Sequence, residues 1–308
     1  MSRVFRWLGI VAFFACCAAC NNDQGDKGSE QGSNDLVISC DETFKPVIDA
    51  QLQVFTDAFP GTKVRVYYKA EAECLKDLFV DSVKMVIIAK MLTEPERNYI
   101  VDSLKVGVEQ AIVAYDAIAV VVHPLAPDSM FTMQEIKNIL DGNAKKNLIP
   151  VFDGLTATST VRFMIDTVLA GGKLGPNVTA AKGSRAVIES VMNNPAAIGF
   201  VGVSWLGNRD DTAQTALLKK VKLAYLESKD SAGAYVKPLQ YHLYTGSYPM
   251  VRDLVYVLKE KDPYGAGHHF ANFMENQRGQ LLFRRSYLAP AIMPSVFRPA
   301  ETADMSGE

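Results

Sequence analysis

The sequence predicts an α/β protein built as two domains. Three observations carry that reading. From Leu36 onward, short apolar runs alternate with segments that repeat apolar residues at helical period, the order of largely parallel sheets flanked by helices. The globular part takes about 270 of the 308 residues, a length that usually divides into two domains. One apolar segment, AIVAYDAIAVVVHP (111–124), is long for a single strand and suits a crossing from one sheet to another.

The elements follow in order. LVIS (36–39) reads as a strand, followed by a helix with Phe44, Val47, Ile48, Leu52, Phe55 and Phe59 on one face. KVRVYY (63–68) is a second strand, with a helix from near Glu71 to Val80. KMVIIA (84–89) precedes LTEPERNYIVDSL, where Thr93 and Glu96 form a capping box. The long strand leaves the first sheet around Tyr115 and Asp116 and enters the second at AIAVVV. FTMQEIKNIL is a helix opened by a second capping box, Thr132 with Glu135. LIPVF (148–152) is a buried strand, and the helix after it carries Val161, Met164, Ile165, Val168 and Leu169 on one face until Gly171-Gly172 stops it. After NVTAA comes the helix SRAVIESVMNN, ended by Pro195, and then the buried strand AIGFVG (197–202).

The turn TATSTVRF (156–163) sits between a strand and a helix and places three hydroxyls at the helix start. One hydroxyl suffices to cap a helix. Three of them, with free backbone N–H groups at the positive end of a helix dipole, also make an anion site. The two readings use the same N–H groups and coexist.

The N-terminus has a different character. MSRVFRWLGIVAFFACCAAC has two arginines, an apolar run and then small residues, the pattern of a bacterial export signal (1–20). Its end resembles a lipobox, with cleavage before Cys20 leaving that cysteine as the lipid-bearing terminus; Cys17 stands where leucine is usual, and Cys16 is an alternative site. NNDQGDKGSEQGSND (21–35) has no large apolar residue and reads as a flexible tether. An exported body held to a cell-envelope membrane by a lipid anchor is therefore expected, a plain secreted protein being the alternative.

A net charge of −2 without a Lys/Arg stripe argues against nucleic acid as a partner. His123, His242, His268 and His269 show no metal spacing, no CxxC is present, and G-x-S-x-G is absent, so neither metal, cofactor nor enzyme is expected. Past residue 20 only Cys40 and Cys74 remain. Export and the adjacency of the two strands they follow lead us to expect a Cys40–Cys74 disulfide, two buried free thiols being the alternative.

YDAIAVVVHP, STVRF, KGSRAVIESVMNNPAAIGFVG, GSYPMVRDLVYVL and NQRGQLLFRRSYLAPA occur in the order of one family. The chain resembles the phosphate-binding proteins of phosphate ABC importers, and within them the lipoprotein branch of Bacteroidota, from Leu36 to about Pro299. The resemblance implies a type II periplasmic-binding-protein fold: two α/β domains joined by two crossing strands, with ligand between them. Domain 1 would take 36–116 and 246–299, domain 2 would take 117–245, and 300–308 would be a tail. It implies further a monomer that delivers phosphate or a related oxyanion to importer permease subunits.

The family's ligand-binding turns map onto four stretches. SCDETF (39–44) matches the turn that holds phosphate, offering Ser39 and Thr43. KAEAEC (69–74) falls where the family has a serine-glycine loop. AKMLT (89–93) puts Lys90 where the family has the aspartate that accepts a ligand proton. Thr158, Ser159 and Thr160 fill the fourth turn. The family's arginine falls on Gly154, and Arg162 is the candidate substitute. Lys90 and Arg162 are then the charged donors, unless Lys90 pairs with Glu71 or Glu73. The replacement acceptor lies among Asp41, Glu42, Glu71 and Asp153, all on candidate cleft turns. The alternatives are a sensing or adhesive surface lipoprotein whose cleft is altered or silent, and an anchored phosphatase or esterase.

Overall fold

A computed structural model describes residues 35–144, 147–208 and 210–292; the signal, the tether up to residue 34, Cys20 and the 300–308 tail lie outside the described residues. In chain order the first half has β1 (Asp35–Asp41), α1 (Lys45–Ala58), β2 (Lys63–Lys69), α2 (Glu71–Asp77), β3 (Met85–Ile88) and α3 (Glu94–Leu104). β4 (Glu109–Val122) is the long strand. Beyond it come β5 (Met130–Phe131), α4 (Met133–Leu140), β6 (Ile149–Phe152), α5 (Ser159–Phe163), β7 (Thr179–Ala180), α6 (Ser184–Asn193) and β8 (Ala197–Gly202). Then follow α7 (Thr212–Leu218), β9 (Lys222–Leu223), β10 (Tyr225–Glu227), β11 (Tyr235–Val236) and α8 (Gln240–Tyr244). The chain returns through β12 (Val251–Leu258), α9 (Ala266–Glu275), α10 (Gln277–Arg285) and β13 (Ala289–Pro290).

The main sheet runs β2-β1-β3-β12-β4-β8-β6-β7. The outer pairs are parallel, and the strands that carry the chain across, β4 and β12, are antiparallel to their neighbours. β4 behaves as its sequence predicts. Glu109 to Ala117 pair with β12, and Ile118 to Val122 pair with β8.

The strands sort their side chains by parity, because successive residues point to opposite faces. Leu36, Ile38 and Cys40 enter the main core with Phe44, Phe55 and Phe270, while Val37 packs with Cys74, Leu78, Val86 and Ile88 on the other face. This parity explains why the expected disulfide is not formed. Cys40 points toward α1 and Cys74 lies in α2, which covers the opposite face, so adjacency of their strands does not bring the sulfurs together. Both are buried free thiols; Cys40 Sγ donates to the Asp41 carbonyl and Cys74 Sγ to the Lys69 carbonyl.

Both capping boxes form, at Thr93/Glu96 and Thr132/Glu135. The helix after LIPVF differs from expectation in one respect. α5 continues into a π turn over Met164–Val168, where the Leu169 N–H reaches back to the Met164 carbonyl, before Ala170 and Gly171 end it at positive φ. Val161, Met164, Val168 and Leu169 are buried as the pattern predicts.

Candidate functional site

The C-terminal ends of β1, β3 and β6 aim their turns at one region. Asp41, the last residue of β1, is buried; its Oδ1 accepts the Thr43 N–H at 3.0 Å, which fixes the turn into Glu42–Phe44. Asp41 Oδ2 is buried and has no partner. Burial pushes the Asp41 carboxyl up to about 6 against the pull of the Arg252 guanidinium and the nearby Ser159 hydroxyl, with Glu71 and Asp153 raising it further. Glu42 reaches the second half and accepts the Ser184 hydroxyl at 2.8 Å and the Ser184 N–H at 3.2 and 3.3 Å. Gly183, beside it, needs its φ of +86°, and a side chain there would meet Glu42 Oε1 at 3.0 Å.

The TATST turn faces Asp41 from the other half. Thr158 caps α5 by accepting the Val161 N–H and donates to Asp153 Oδ1 at 2.9 Å. Asp153 Oδ2 faces the hydroxyls of Thr43 and Thr160 at 3.4 and 3.5 Å, and burial raises its carboxyl as well. Ala157 lies at φ +72°, an unfavourable place for a residue with a Cβ, and its carbonyl accepts the Ala72 N–H of α2 at 3.0 Å.

Two arginines serve this region. Arg162 donates from Nε to Glu71 Oε2 at 2.5 Å and from Nη2 to Glu71 Oε1 and the Ala89 carbonyl, each at 3.1 Å. Arg252 lies outside the four candidate turns. It projects from β12, pairs with Asp116 of β4 at 2.9 and 3.0 Å, and donates from Nη1 to Ser159 Oγ at 2.9 Å and Thr160 Oγ1 at 3.3 Å. Its guanidinium also lies 5.3 Å from the Phe44 ring centroid. The signal for it was present: an arginine in the apolar strand VRDLVYVL and an aspartate in the apolar YDAIAVVV. Opposite charges in strands that bury both faces must find each other.

Asp41, Glu42, Thr43, Glu71, Thr158, Ser159, Thr160 and Arg162 lie on these turns. Ser39 and Lys90 have partners that the sequence does not predict. The Ser39 hydroxyl donates to Asp77 Oδ2 of α2 at 2.6 Å, an oxygen that Lys69 Nζ also reaches at 2.6 Å. Lys90 pairs with Glu96 in the first turn of α3 at 2.6 Å, with neither Glu71 nor Glu73. Its side chain still lines a cavity of about 320 Å³ shared with Glu71, Leu155, Thr158 and Arg162. A larger cavity of about 480 Å³, lined by Asp81, Lys84, Lys259 and Glu260, lies at the opposite end of the strands, where β3 begins and β12 ends, remote from these turns. Among the described residues no three His, Cys, Asp or Glu side chains are placed to hold a metal ion, and no helix is long and apolar enough to cross a membrane.

A sequence model of the PBP superfamily domain matches residues 25–277. The phosphate-binding protein PstS of Pseudomonas aeruginosa is 28% identical over 171 residues, covering 49% of each chain, so this chain spans about half the length of the curated relatives it matches. Among solved structures, a Clostridium perfringens protein with bound phosphate superposes with a TM-score of 0.69 at 20% identity, over 84% of this chain and 100% of that one. A Vibrio cholerae ABC-type phosphate transport receptor gives 0.61 at 15% identity, over 83% and 99%. At these identities the superpositions establish the fold, a mostly parallel α/β architecture of the type II periplasmic-binding-protein class.

Proposed function

The chain belongs to the PBP superfamily, and on that premise we propose that it is a solute-binding protein that captures inorganic phosphate, or a related oxyanion, for an ABC importer. One observation carries the reading. Turns from the two halves of the sheet, Asp41–Phe44 and Thr158–Thr160, converge with a buried arginine between them. The Ser159 hydroxyl and the first N–H groups of α5 are donors for anionic oxygens, while the hydroxyls of Thr43 and Thr160 face Asp153. Arg252 takes the place of the arginine missing at Gly154 and holds the hydroxyls oriented.

The acceptor follows from what each acid already binds. Glu42 is committed to Ser184, Glu71 to Arg162, and Asp153 to three threonine hydroxyls. Asp41 keeps one buried oxygen unpartnered, so it is the acceptor for a proton on the ligand. In this reading two domains, 36–116 with 246–299 and 117–245, close on the ligand about β4 and the return into β12. A lipid anchor at Cys20 holds the body, a monomer, to a cell-envelope membrane beside the importer's permease subunits. The phosphate reading draws its support from the family and from the relatives named above.

A second reading has its own support. Every cation at the site has an acidic partner: Arg252 with Asp116, Arg162 with Glu71, Lys90 with Glu96. A sensing or adhesive protein with a silent cleft would look the same. Titration calorimetry of the full chain with inorganic phosphate, with sulfate as competitor and a chromogenic phosphoester as turnover control, separates these. One-to-one phosphate binding without turnover is expected. Absence of heat supports the silent cleft, and turnover would make the chain an enzyme.

A further inference from the structure

Glu71 is a carboxylate bound as a ligand would be. It opens α2, its side chain is 3% exposed, and it accepts from Arg162 Nε at 2.5 Å, from Arg162 Nη2 at 3.1 Å and from the Ala89 N–H at 2.9 Å. Those donors come from α5 in one half and from the end of β3 in the other. A planar guanidinium edge joined by a backbone N–H is a receptor for two anionic oxygens, and here the chain supplies the anion itself. Next to this pair lies the cavity of about 320 Å³ that Glu71, Arg162 and Lys90 all line.

We propose that Glu71 is an affinity-setting residue, an internal anion that occupies Arg162 and the Ala89 N–H and that an incoming oxyanion must displace. The inference rests on the phosphate reading above. Entry of the oxyanion transfers Arg162 from one anion to another. The released carboxylate swings into the adjacent cavity, where Lys90, which lines it and is now paired with Glu96, can receive it. With no competitor in place, the same donors would hold an oxyanion more tightly. With Glu71 present, the site fills only where the oxyanion is abundant enough to win.

The test compares the wild-type full chain with E71Q, which keeps the shape and removes the charge. Both are exchanged free of phosphate and titrated calorimetrically with inorganic phosphate. The expected result is at least tenfold tighter binding by E71Q. Equal affinity overturns the proposal. Weaker binding by E71Q also overturns it, because Glu71 would then be orienting Arg162 toward the ligand. If E71Q does not fold, the wild type decides: the Arg162 Nε–H resonance must move on saturation with phosphate, and a resonance that stays in place overturns the proposal. If neither chain binds phosphate, the phosphate reading fails separately. Amide exchange in phosphate-free buffer then decides. Faster exchange over 70–77 and 157–163 in E71Q supports a competitor anion that ties the halves, and unchanged exchange overturns it.

Discussion

Asp41 shows how one residue can serve a site at the expense of the fold. Its carboxyl titrates near 3.8 in the unfolded chain and near 6 when folded, because burial penalises the charge. Below 3.8 both states hold the proton. Between the two values the folded chain keeps a proton that the unfolded chain has released, so stability falls as pH rises through about 6. At roughly 1.4 kcal/mol per pH unit, the ionised side chain costs on the order of 2–3 kcal/mol at neutral pH. Asp41→Asn keeps an oxygen for the Thr43 N–H and removes the charge. Scanning calorimetry should show the variant melting above wild type at pH 7.5 and level with it near pH 4; equal melting at pH 7.5 would contradict the account. Arg252 is the opposite case. Arg252→Ala leaves Asp116 buried without its cation and takes the donor from Ser159 and Thr160. A loss of about 3–5 kcal/mol is expected by urea denaturation. Arg252→Lys should recover only part, since one ammonium cannot serve both a carboxylate and two hydroxyls in that fork geometry.

At the level of elements, what is local in the chain was legible and what depends on parity or on distant partners was not. Both capping boxes and the span of β4 could be read because their signals lie within a few residues. The hydroxyl turn was legible as a helix cap for the same reason. Ser39 and the cysteine pair were misplaced because a strand's faces are assigned by packing. Once β1 puts Cys40 into the core beneath α1, Ser39 must face α2, and Cys74 stands on the wrong side of the sheet. Arg252 escaped because its partner, Asp116, is 136 residues away. Lys90 and Arg162 line one cavity, but neither of their acidic partners, Glu96 and Glu71, follows from the sequence, because tertiary geometry chooses them. The cysteine placement is directly testable. Both thiols are buried, and burial pushes Cys74 up to about 12. In the folded protein neither should react with an aromatic disulfide reagent at neutral pH. After denaturation without reductant, mass spectrometry should find an alkyl group on the Cys40 peptide and another on the Cys74 peptide; an intact bridge between them would refute the assignment.

The whole molecule is organised around β4. Its first part is paired to β12 and β13, its second to β8 and β9, and Val113, Ala114 and Ala117 to Val122 are fully buried. Around it, Phe55 meets Phe270 and Phe273 at ring centroid distances of 5.0 and 5.6 Å, so the returning C-terminal helices are locked to α1. The PBP superfamily domain that matches the chain covers residues 25–277 and so includes this strand and its partners up to α9. One strand common to both halves also has a calorimetric consequence. Removing either half would strip β4 of one set of backbone partners and expose an apolar face, so an intermediate with one half melted loses on both counts. Heating should therefore give a single endotherm with calorimetric and van't Hoff enthalpies in agreement, and two resolved peaks would mean that β4 does not couple the halves. In evolutionary terms, such a strand makes the chain indivisible: neither half could have been lost or traded as an independent module without the other losing its own sheet.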